Sequence, residues 1–407
     1  MKKVEVRYQG WGENWLLGTL ADNGRRILFE YSPEALAQQL ELSPYRLKLR
    51  PEAYDDFPAH LDHLPGLIAD SLPDGWGMVL MNRVFRKHNW DTQAVSPLAR
   101  LGFIGHRSMG ALTFEPEIPS EMVPTWLDLH QLANDSQIVL HDEDPSSLEQ
   151  LAMLGGSPHG ARPKALVHRD RLSGRISSHP SELTDPLLVK FQAKGEPKEV
   201  CAIEAVYAQL AERCGLEMPV SYYFDLGPDL AGFGVQRFDV ESGMRVPVHT
   251  LAGLLHADFR QPQIDYRTFL RATKFLTKDV REVWKAFERT VFNVLFNNRD
   301  DHTKNFSYRL NKARQWELAP CYDLTFNIGP GGEHYMDVEG EARNIRRRDL
   351  LALAKNADLN EVDAGRIIDR MAIEVDALPQ LLDNAPISKA SVNQLSRQIQ
   401  ANRDRLK

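Results

Sequence analysis

Along residues 1–31 apolar and polar positions alternate with a period of two. Val4, Val6 and Tyr8 share one face, and the runs "WLLGTL" and "ILFEY" follow. That period sends successive side chains to opposite faces of a strand. The turn residues of "ADNGRR" lie between the two runs, so the segment predicts a small β-rich unit. Further on, "SLPDGWGMVLMNRVFRKHN" (71–89) predicts a helix that starts at Pro73-Asp74, and "SMGALTFEP" (108–116) predicts a closing strand. The proline-bearing stretch 116–125 is expected to mark a boundary.

Beyond it the pattern is mixed. Helical stretches are expected at 126–137 and 146–153, a glycine-containing loop at 155–163, and strands at 164–168 and 187–191. A helix over about 198–214 precedes strands near 220–225 and 233–238. From about 249 onward the pattern becomes almost wholly helical. In "TKDVREVWKAFERTVFNVLFNN", Val280, Val283, Trp284, Phe287, Val291, Val294 and Leu295 keep the 3.6-residue period of an amphipathic helix. No internal repeat is present. A β-containing piece followed by a helical one predicts an α+β chain with two lobes and a cleft between them. The expected division is a β-rich N-terminal domain over 1–118 and a core over 119–407. Within the core, a small lobe covers about 119–240 and a mainly helical lobe about 241–407.

Composition narrows the class. At 407 residues the chain exceeds one ordinary core, and its 43% hydrophobic and 26% charged content is that of a globular protein. Cys201, Cys214 and Cys321 form no C-x-x-C pair and are expected to be reduced and buried. No apolar stretch approaches a membrane span, and "MKKVEVRYQG" lacks a signal-peptide core, so a cytoplasmic protein is expected. The formal charge of −7, from 49 basic and 56 acidic side chains, argues against a protein that coats nucleic acid. The basic run "NIRRRDLLALAKN" (344–356) is expected to be a solvated helix surface.

The chemistry concentrates in "NNRDDHTKNFSY" (297–308), where the firm helix ends. A helix C-terminus attracts cations, so carboxylates placed there need another partner, and a divalent metal would serve. Mg²⁺ takes one or two carboxylates together with substrate phosphates. A second acidic site is therefore expected further on, and Asp323 in "LAPCYDLTFN" (318–327), after a strand-like run, provides it. Phosphoryl transfer needs an aspartate for the nucleophile's proton, an amide and a carboxylate for metals, and a lysine for the nucleotide phosphates. Asp300, Asn305, Asp323 and Lys190, the last at the end of the strand "DPLLVKFQ", supply these four types. In kinases such a lysine is paired by a helix glutamate. Glu204 is the first candidate, with Glu199 and Glu212 left open. Lys304 suits phosphate neutralisation, and His302 a hydrogen-bonding scaffold for the loop. Asp301 is expected to be exposed or to stand behind the metal ligands. "GFIGHRSMG" (102–110) reads as packing turns, and His249, His256 and His334 lack metal-ligand spacing.

The motif D-x-H-x-K-N-F at 300–306, with "YDL" at 322–324, resembles the HipA family, serine/threonine kinase toxins of bacterial toxin–antitoxin systems. "GGSPHGARPKALV" (155–167) looks like that family's serine-containing phosphate loop, with Gly160, Ala161 and Lys164 at its characteristic positions. Arg162-Pro163 stands where some members carry a glutamine-glutamate pair. "GVQRFD" (234–239) resembles the family's adenine-receiving hinge, and "SLPDGWG" (71–77) its N-terminal region. The resemblance implies a protein-kinase-like core that uses ATP and Mg²⁺. It makes Asp300 the catalytic base, with Lys304 and His302 beside it, and Asn305 and Asp323 the metal ligands. It puts Lys190 on the phosphates and Gln236 to Phe238 around adenine, and implies self-phosphorylation at Ser157. It further implies a growth-arresting toxin of the persistence type and a HipB-like helix-turn-helix antitoxin that carries most DNA contacts. The expected substrate is an aminoacyl-tRNA synthetase, with glutamyl-tRNA synthetase first.

Two other classes fit parts of the pattern. A metal-dependent phosphohydrolase would use Asp300, Asp301, His302 and Asp323 as ligands, and leaves Lys190 and the glycine loop unexplained. A catalytically idle co-repressor that binds an antitoxin leaves all four catalytic residue types without a task.

Overall fold

A computed structural model describes residues 1–119 and 124–407. The N-terminal alternation becomes an antiparallel sheet of β1 (Lys3–Tyr8), β2 (Trp15–Asp22), β3 (Ile27–Tyr31), β4 (Ala53–Tyr54) and β5 (Leu112–Glu115), in the order β4-β3-β2-β1-β5. Val4, Val6 and Tyr8 are buried, as a one-sided strand requires. The helix Gly75–Lys87 starts after Asp74, at the expected place. The segment 102–110 departs from the expected turns. Its first three residues close the helix Pro97–Ile104, which Ser96 caps through the backbone N–H of Ala99. Four residues of the expected boundary stretch, 120–123, lie outside the described residues.

The second sheet contains β6 (Trp126–Leu127), β7 (Lys164–Asp170), β8 (Ile176–Ser177), β9 (Thr184–Phe191), β10 (Ser221–Asp225) and β11 (Ala231–Gln236). Its order is β10-β11-β9-β7-β8-β6, with antiparallel neighbours. Residues 126 and 127, expected to open a helix, instead form its edge, and the helices run over Leu129–Leu140 and Leu148–Gly155. The helix Glu199–Arg213 packs on β11 through Cys201, Ala208, Ala231, Phe233 and Val235.

The C-terminal part is not wholly helical. After a short hairpin, β12 (Val240–Glu241) and β13 (Met244–Arg245), a three-stranded sheet forms from β14 (Val248–Thr250), β15 (Ser307–Leu310) and β16 (Trp316–Leu318). Helices at Tyr266–Thr277, Val280–Leu295, Arg347–Asn356, Glu361–Glu374 and Lys389–Leu406 make up most of the rest. In Val280–Leu295 the residues Val283, Phe287, Val291, Val294 and Leu295 are buried, each stabilising the fold by about 1.5–3 kcal/mol. Val280 breaks the expected pattern, since it is 56% exposed in the first turn. Among the described residues no helix is long and apolar enough to cross a membrane. All three cysteines are free and buried.

A polar seam joins the N-terminal unit to the core. Ser43 Oγ lies 2.9 Å from His249 Nε2, and His249 Nδ1 lies 2.7 Å from Asp70 Oδ2. Asp70 also accepts the backbone N–H and the hydroxyl of Thr250. Ser43 and His249 are wholly buried, so the array is a sealed structural joint. Nearby, Arg245 donates to the carbonyls of His106, Ser108 and Gly110, gripping the segment before β5.

Candidate active site

Between the N-terminal unit, the second sheet and the helical part opens a cavity of about 690 Å³. Ser157, Gly160, Ala161, Lys164, Lys190, Gln236, Phe238, Asp300, His302, Lys304, Asn305 and Asp323 all line it. The fold thus brings every singled-out site residue to one place, although they span 167 positions of chain (157 to 323). Its apolar wall comes from Leu188, Met218, Phe233, Val235 and Tyr322, with Phe238 and Tyr322 ring centroids 5.5 Å apart.

Lys190 stands one residue from the end of β9, directly opposite Lys164 at the start of β7. Its ammonium donates to Glu204 on the helix Glu199–Arg213, and to Asp323 Oδ1 at 2.5 Å. Glu204 is therefore the partner among the three glutamates considered. Glu199 instead accepts hydrogen bonds from Ser388 and Ser391. Burial alone would lower the Lys190 pKa, but Asp323 and Glu204 outweigh it and raise it above the ordinary lysine value. Among the described residues Lys164 forms no salt bridge, and it donates to the carbonyl of His159. Burial, with Lys190 beside it, pushes it down to about 8.

The catalytic-loop candidate leaves the end of Val280–Leu295 through Asn297, which adopts left-handed backbone (φ 56°). Asn305 turns back, its side-chain N–H donating to the Asp300 carbonyl at 2.6 Å. Tyr322 Oη donates to the Lys304 carbonyl at 2.7 Å, tying this loop to the segment that carries Asp323. Asp323 follows an irregular stretch, since β16 ends at Leu318, and its backbone is left-handed (φ 58°). Such strain persists where the surroundings over-determine it, and the Lys190 contact is one such surrounding. Burial favours the protonated Asp323 carboxyl, but Lys190 and Lys164 outweigh it and hold the group well below the usual range. Asp300 shifts the other way. Burial in the cleft raises its pKa and Asp323 adds to the rise, with His302 opposing.

One expectation for this loop is narrowed and one corrected: of the two readings of Asp301, the structure excludes exposure and leaves it standing behind the loop. Asp301 is wholly buried, not exposed, and accepts Tyr266 Oη at 2.6 Å, the Tyr335 N–H at 2.8 Å, and a contact with His334 Nδ1 at 2.7 Å. It is the scaffold of the loop. His302 does not fill that role: among the described residues its buried Nδ1 has no hydrogen-bond partner, and its Nε2 lies 3.9 Å from Asp300 Oδ1. Its ring packs between Phe259 and Tyr335.

The residue that sequence reasoning missed is Asp74, which accepts Lys304 Nζ at 2.7 Å and the Gly160 N–H. Its sequence signal was the pair of glycines around Trp76, poor helix formers at the start of a helix. Arg162 forms a two-pronged ion pair with Glu196, closing the glycine loop on its other side.

The site's donors are hard oxygens and an amide, the set suited to Mg²⁺. Among the described residues no group of three His, Cys, Asp or Glu side chains is arranged to hold a metal alone. Asp323 and Asn305 fit a metal that completes its shell with phosphate oxygens, and the opposed lysines fit those phosphates.

A β-rich cap, a sheet bearing a glutamate-paired lysine and a helical part bearing an acidic loop define a kinase-like protein. Residues 156–378 match the HipA-like C-terminal domain, and residues 9–115 the HipA N-terminal domain. The chain belongs to the HipA family. The fold is shared with a Shewanella oneidensis MR-1 HipA, solved in complex with HipB and operator DNA. Identity is 16%, the TM-score 0.72, and the match covers 99% of this chain and 97% of that one. A Helicobacter pylori proinflammatory kinase, CtkA, overlaps more loosely, at 13% identity, TM-score 0.40, and 55% and 88% coverage. No curated protein matches the sequence.

Proposed function

We propose that this chain is an ATP- and Mg²⁺-dependent serine/threonine protein kinase, the toxin of a toxin–antitoxin pair. The observation that carries the reading is Lys190, held between Glu204 and Asp323 and beside its cross-strand neighbour Lys164, on the wall of the cavity that Asp300 and Asn305 also line. Bound Mg²⁺–ATP supplies the transferable phosphoryl group and charge neutralisation around it. Asn305 and Asp323 hold the metal. Lys190 and Lys164 meet the phosphates beside Ser157, Gly160 and Ala161, and Gln236 and Phe238 border the adenine. Asp300 accepts the acceptor hydroxyl's proton at a carboxylate oxygen, and its raised pKa strengthens it as a base. His302 Nε2 lies 3.9 Å from Asp300 Oδ1, and Lys304 lines the same cleft.

The family supports a HipB-like antitoxin as partner, with operator DNA contacted mainly through it, and the Shewanella relative was solved with both. An aminoacyl-tRNA synthetase, glutamyl first, is the acceptor to try, in the cytoplasm. Ser157 is the proposed site of self-phosphorylation. The phosphohydrolase alternative loses support from Asp301, both of whose oxygens are already held by Tyr266, His334 and Tyr335.

Incubating the pure protein with γ-labelled ATP, Mg²⁺ and a cell extract tests the reading. Label transferred to protein supports it. Free phosphate without labelled protein points to the phosphohydrolase, and neither product points to the idle co-repressor.

A further inference from the structure

The segment 72–77 of the N-terminal unit lies against the glycine loop, and its side chains serve that loop rather than their own helix. Asp74 occupies the N-cap position of Gly75–Lys87, a place where aspartate ordinarily accepts a helix N–H. Here its side chain caps none. One oxygen accepts the Gly160 N–H and the other the Lys304 ammonium, 2.7 Å away. The backbone N–H of Trp76 donates to the Gly160 carbonyl at 3.1 Å, and its indole N–H to the Lys164 carbonyl at 3.2 Å. His159 Nε2 reaches the Leu72 carbonyl at 2.9 Å.

The glycines explain how backbones come so near. Gly75 adopts φ +43°, and a Cβ there would stand 2.7 Å from the Gly160 carbonyl oxygen and 2.8 Å from Ala161 Cα. A Cβ on Gly77 would stand 2.6 Å from Pro73 Cβ and 3.1 Å from the Gly156 carbonyl oxygen. A segment that gives up a cap and uses two poor helix formers to reach one loop is shaped by that loop.

We propose that Asp74 is a positioning residue of the kinase centre. One carboxylate oxygen fixes the glycine loop at Gly160 and the other fixes Lys304, so the N-terminal unit sets the distance between phosphate loop and catalytic loop. The inference rests on the kinase reading of the cleft. Asp74 is suited to the task because it stays ionised. Burial opposes its charge, but His159 and Lys304 outweigh it and hold its pKa well below the usual range. Lys304 is placed between the Asp74 carboxylate and the Phe259 ring, whose centroid is 4.4 Å from its nitrogen. An ammonium so held presents its charge in one direction instead of sweeping the cleft.

The two oxygens can be tested separately. Asp74→Asn keeps an oxygen for the Gly160 N–H and loses the charge on Lys304, whereas Asp74→Ala loses both. Amide hydrogen exchange over residues 155–163 should rise in Asp74→Ala and stay near wild type in Asp74→Asn. In phosphoryl transfer, Asp74→Asn should lower kcat about ten- to a hundredfold with KM for ATP little changed, the scale of one charge-assisted hydrogen bond. Asp74→Ala should raise KM as well. Added to Lys304→Met, Asp74→Asn should cost no more than about twofold further, because the pair acts as one unit. Unchanged exchange in Asp74→Ala overturns the proposal whether or not the wild type is a kinase. Equal loss of kcat in both Lys304 backgrounds overturns the link to Lys304. A wild type that transfers no phosphate, with the exchange difference intact, overturns the kinase reading and with it the positioning role.

Discussion

Lys164 and Lys190 are direct cross-strand partners, buried on the same face of adjacent antiparallel strands. Like charges in such a pair destabilise a sheet. Lys190 ion-pairs directly with Glu204 and Asp323, while Lys164 hydrogen-bonds a backbone carbonyl and feels the carboxylates of Asp323, Asp74 and Glu204 without direct contact. Burial and Lys190 outweigh those carboxylates, and an anionic ligand beside Lys164 would offset the remainder.

The depressed pKa of Lys164 gives a signed pH effect. Between about pH 8 and its ordinary 10.5, the unfolded chain binds a proton that the folded chain has shed. Stability contributed by this group therefore rises with pH across that window. Nucleotide phosphates should reverse the shift, so ATP binding near pH 8.5 should take up protons. Calorimetry in two buffers of different ionisation enthalpy would measure the uptake. Its absence in wild type, or its persistence in Lys164→Met, would move Lys164 away from the phosphates.

Replacing Asp300 by Asn should cut phosphoryl transfer by roughly 10²–10⁴-fold, the usual contribution of a general base. ATP binding should be nearly unchanged, while Asp323→Ala should weaken Mg²⁺-dependent binding as well. Because the Asp300 pKa lies above its ordinary 3.8, the wild-type rate should fall with decreasing pH before an unperturbed carboxylate would protonate. Near-full activity of Asp300→Asn would refute its role as base.

Lys190 and Glu204 are both under a tenth exposed in their side chains. Lys190→Met alone leaves a buried carboxylate without its nearest cation, a loss on the order of 3–5 kcal/mol. The double variant with Glu204→Gln should recover much of it, as read from denaturant midpoints. Both variants should lose most of the thermal shift that Mg²⁺–ATP gives wild type, since that shift follows RT ln(1 + [L]/Kd). A full shift in the double variant would exclude Lys190 from the phosphates.

Ser157 lies in the glycine loop, 7% exposed and on the cavity wall. A phosphate there adds about −1.5 to −2 charges at pH 7 beside the nucleotide's own. Mass spectrometry after incubation with ATP should find phosphate on Ser157, and Ser157→Asp should bind ATP more weakly than Ser157→Ala. Phosphate found only elsewhere, with Ser157→Asp fully active, would sink the assignment.

What the sequence made legible follows the range of the interactions. The alternation at Val4, Val6 and Tyr8 and the helical stripe through Phe287 and Val291 are local, and both appear in the fold. That the acidic loop, Asp323 and Lys190 would meet in one cavity was legible because the proposed chemistry restricts residue types. The sheet of β14, β15 and β16 was not, because strands of three or four residues carry too few alternations to display a period. Asp301 was left between two readings because adjacent carboxylates look alike in sequence. The distant Tyr266, His334 and Tyr335 make one of them structural. Asp74 was hidden in the same way: it has the place of a helix cap and the partners of a cleft residue.

The joint formed by Ser43, Asp70, His249 and Thr250 has a consequence for synthesis. Ser43 and His249 are 206 positions apart, and Asp70 and Thr250 180. At roughly 5–20 residues per second, a ribosome adds 180–206 residues in about 10–40 s. For that interval Asp70 and Ser43 would lack the His249 and Thr250 partners they have in the folded chain. Residue 323, the last of the proposed metal ligands, emerges later still. On the proposed reading, phosphoryl transfer would therefore have to wait until residue 323 has been made.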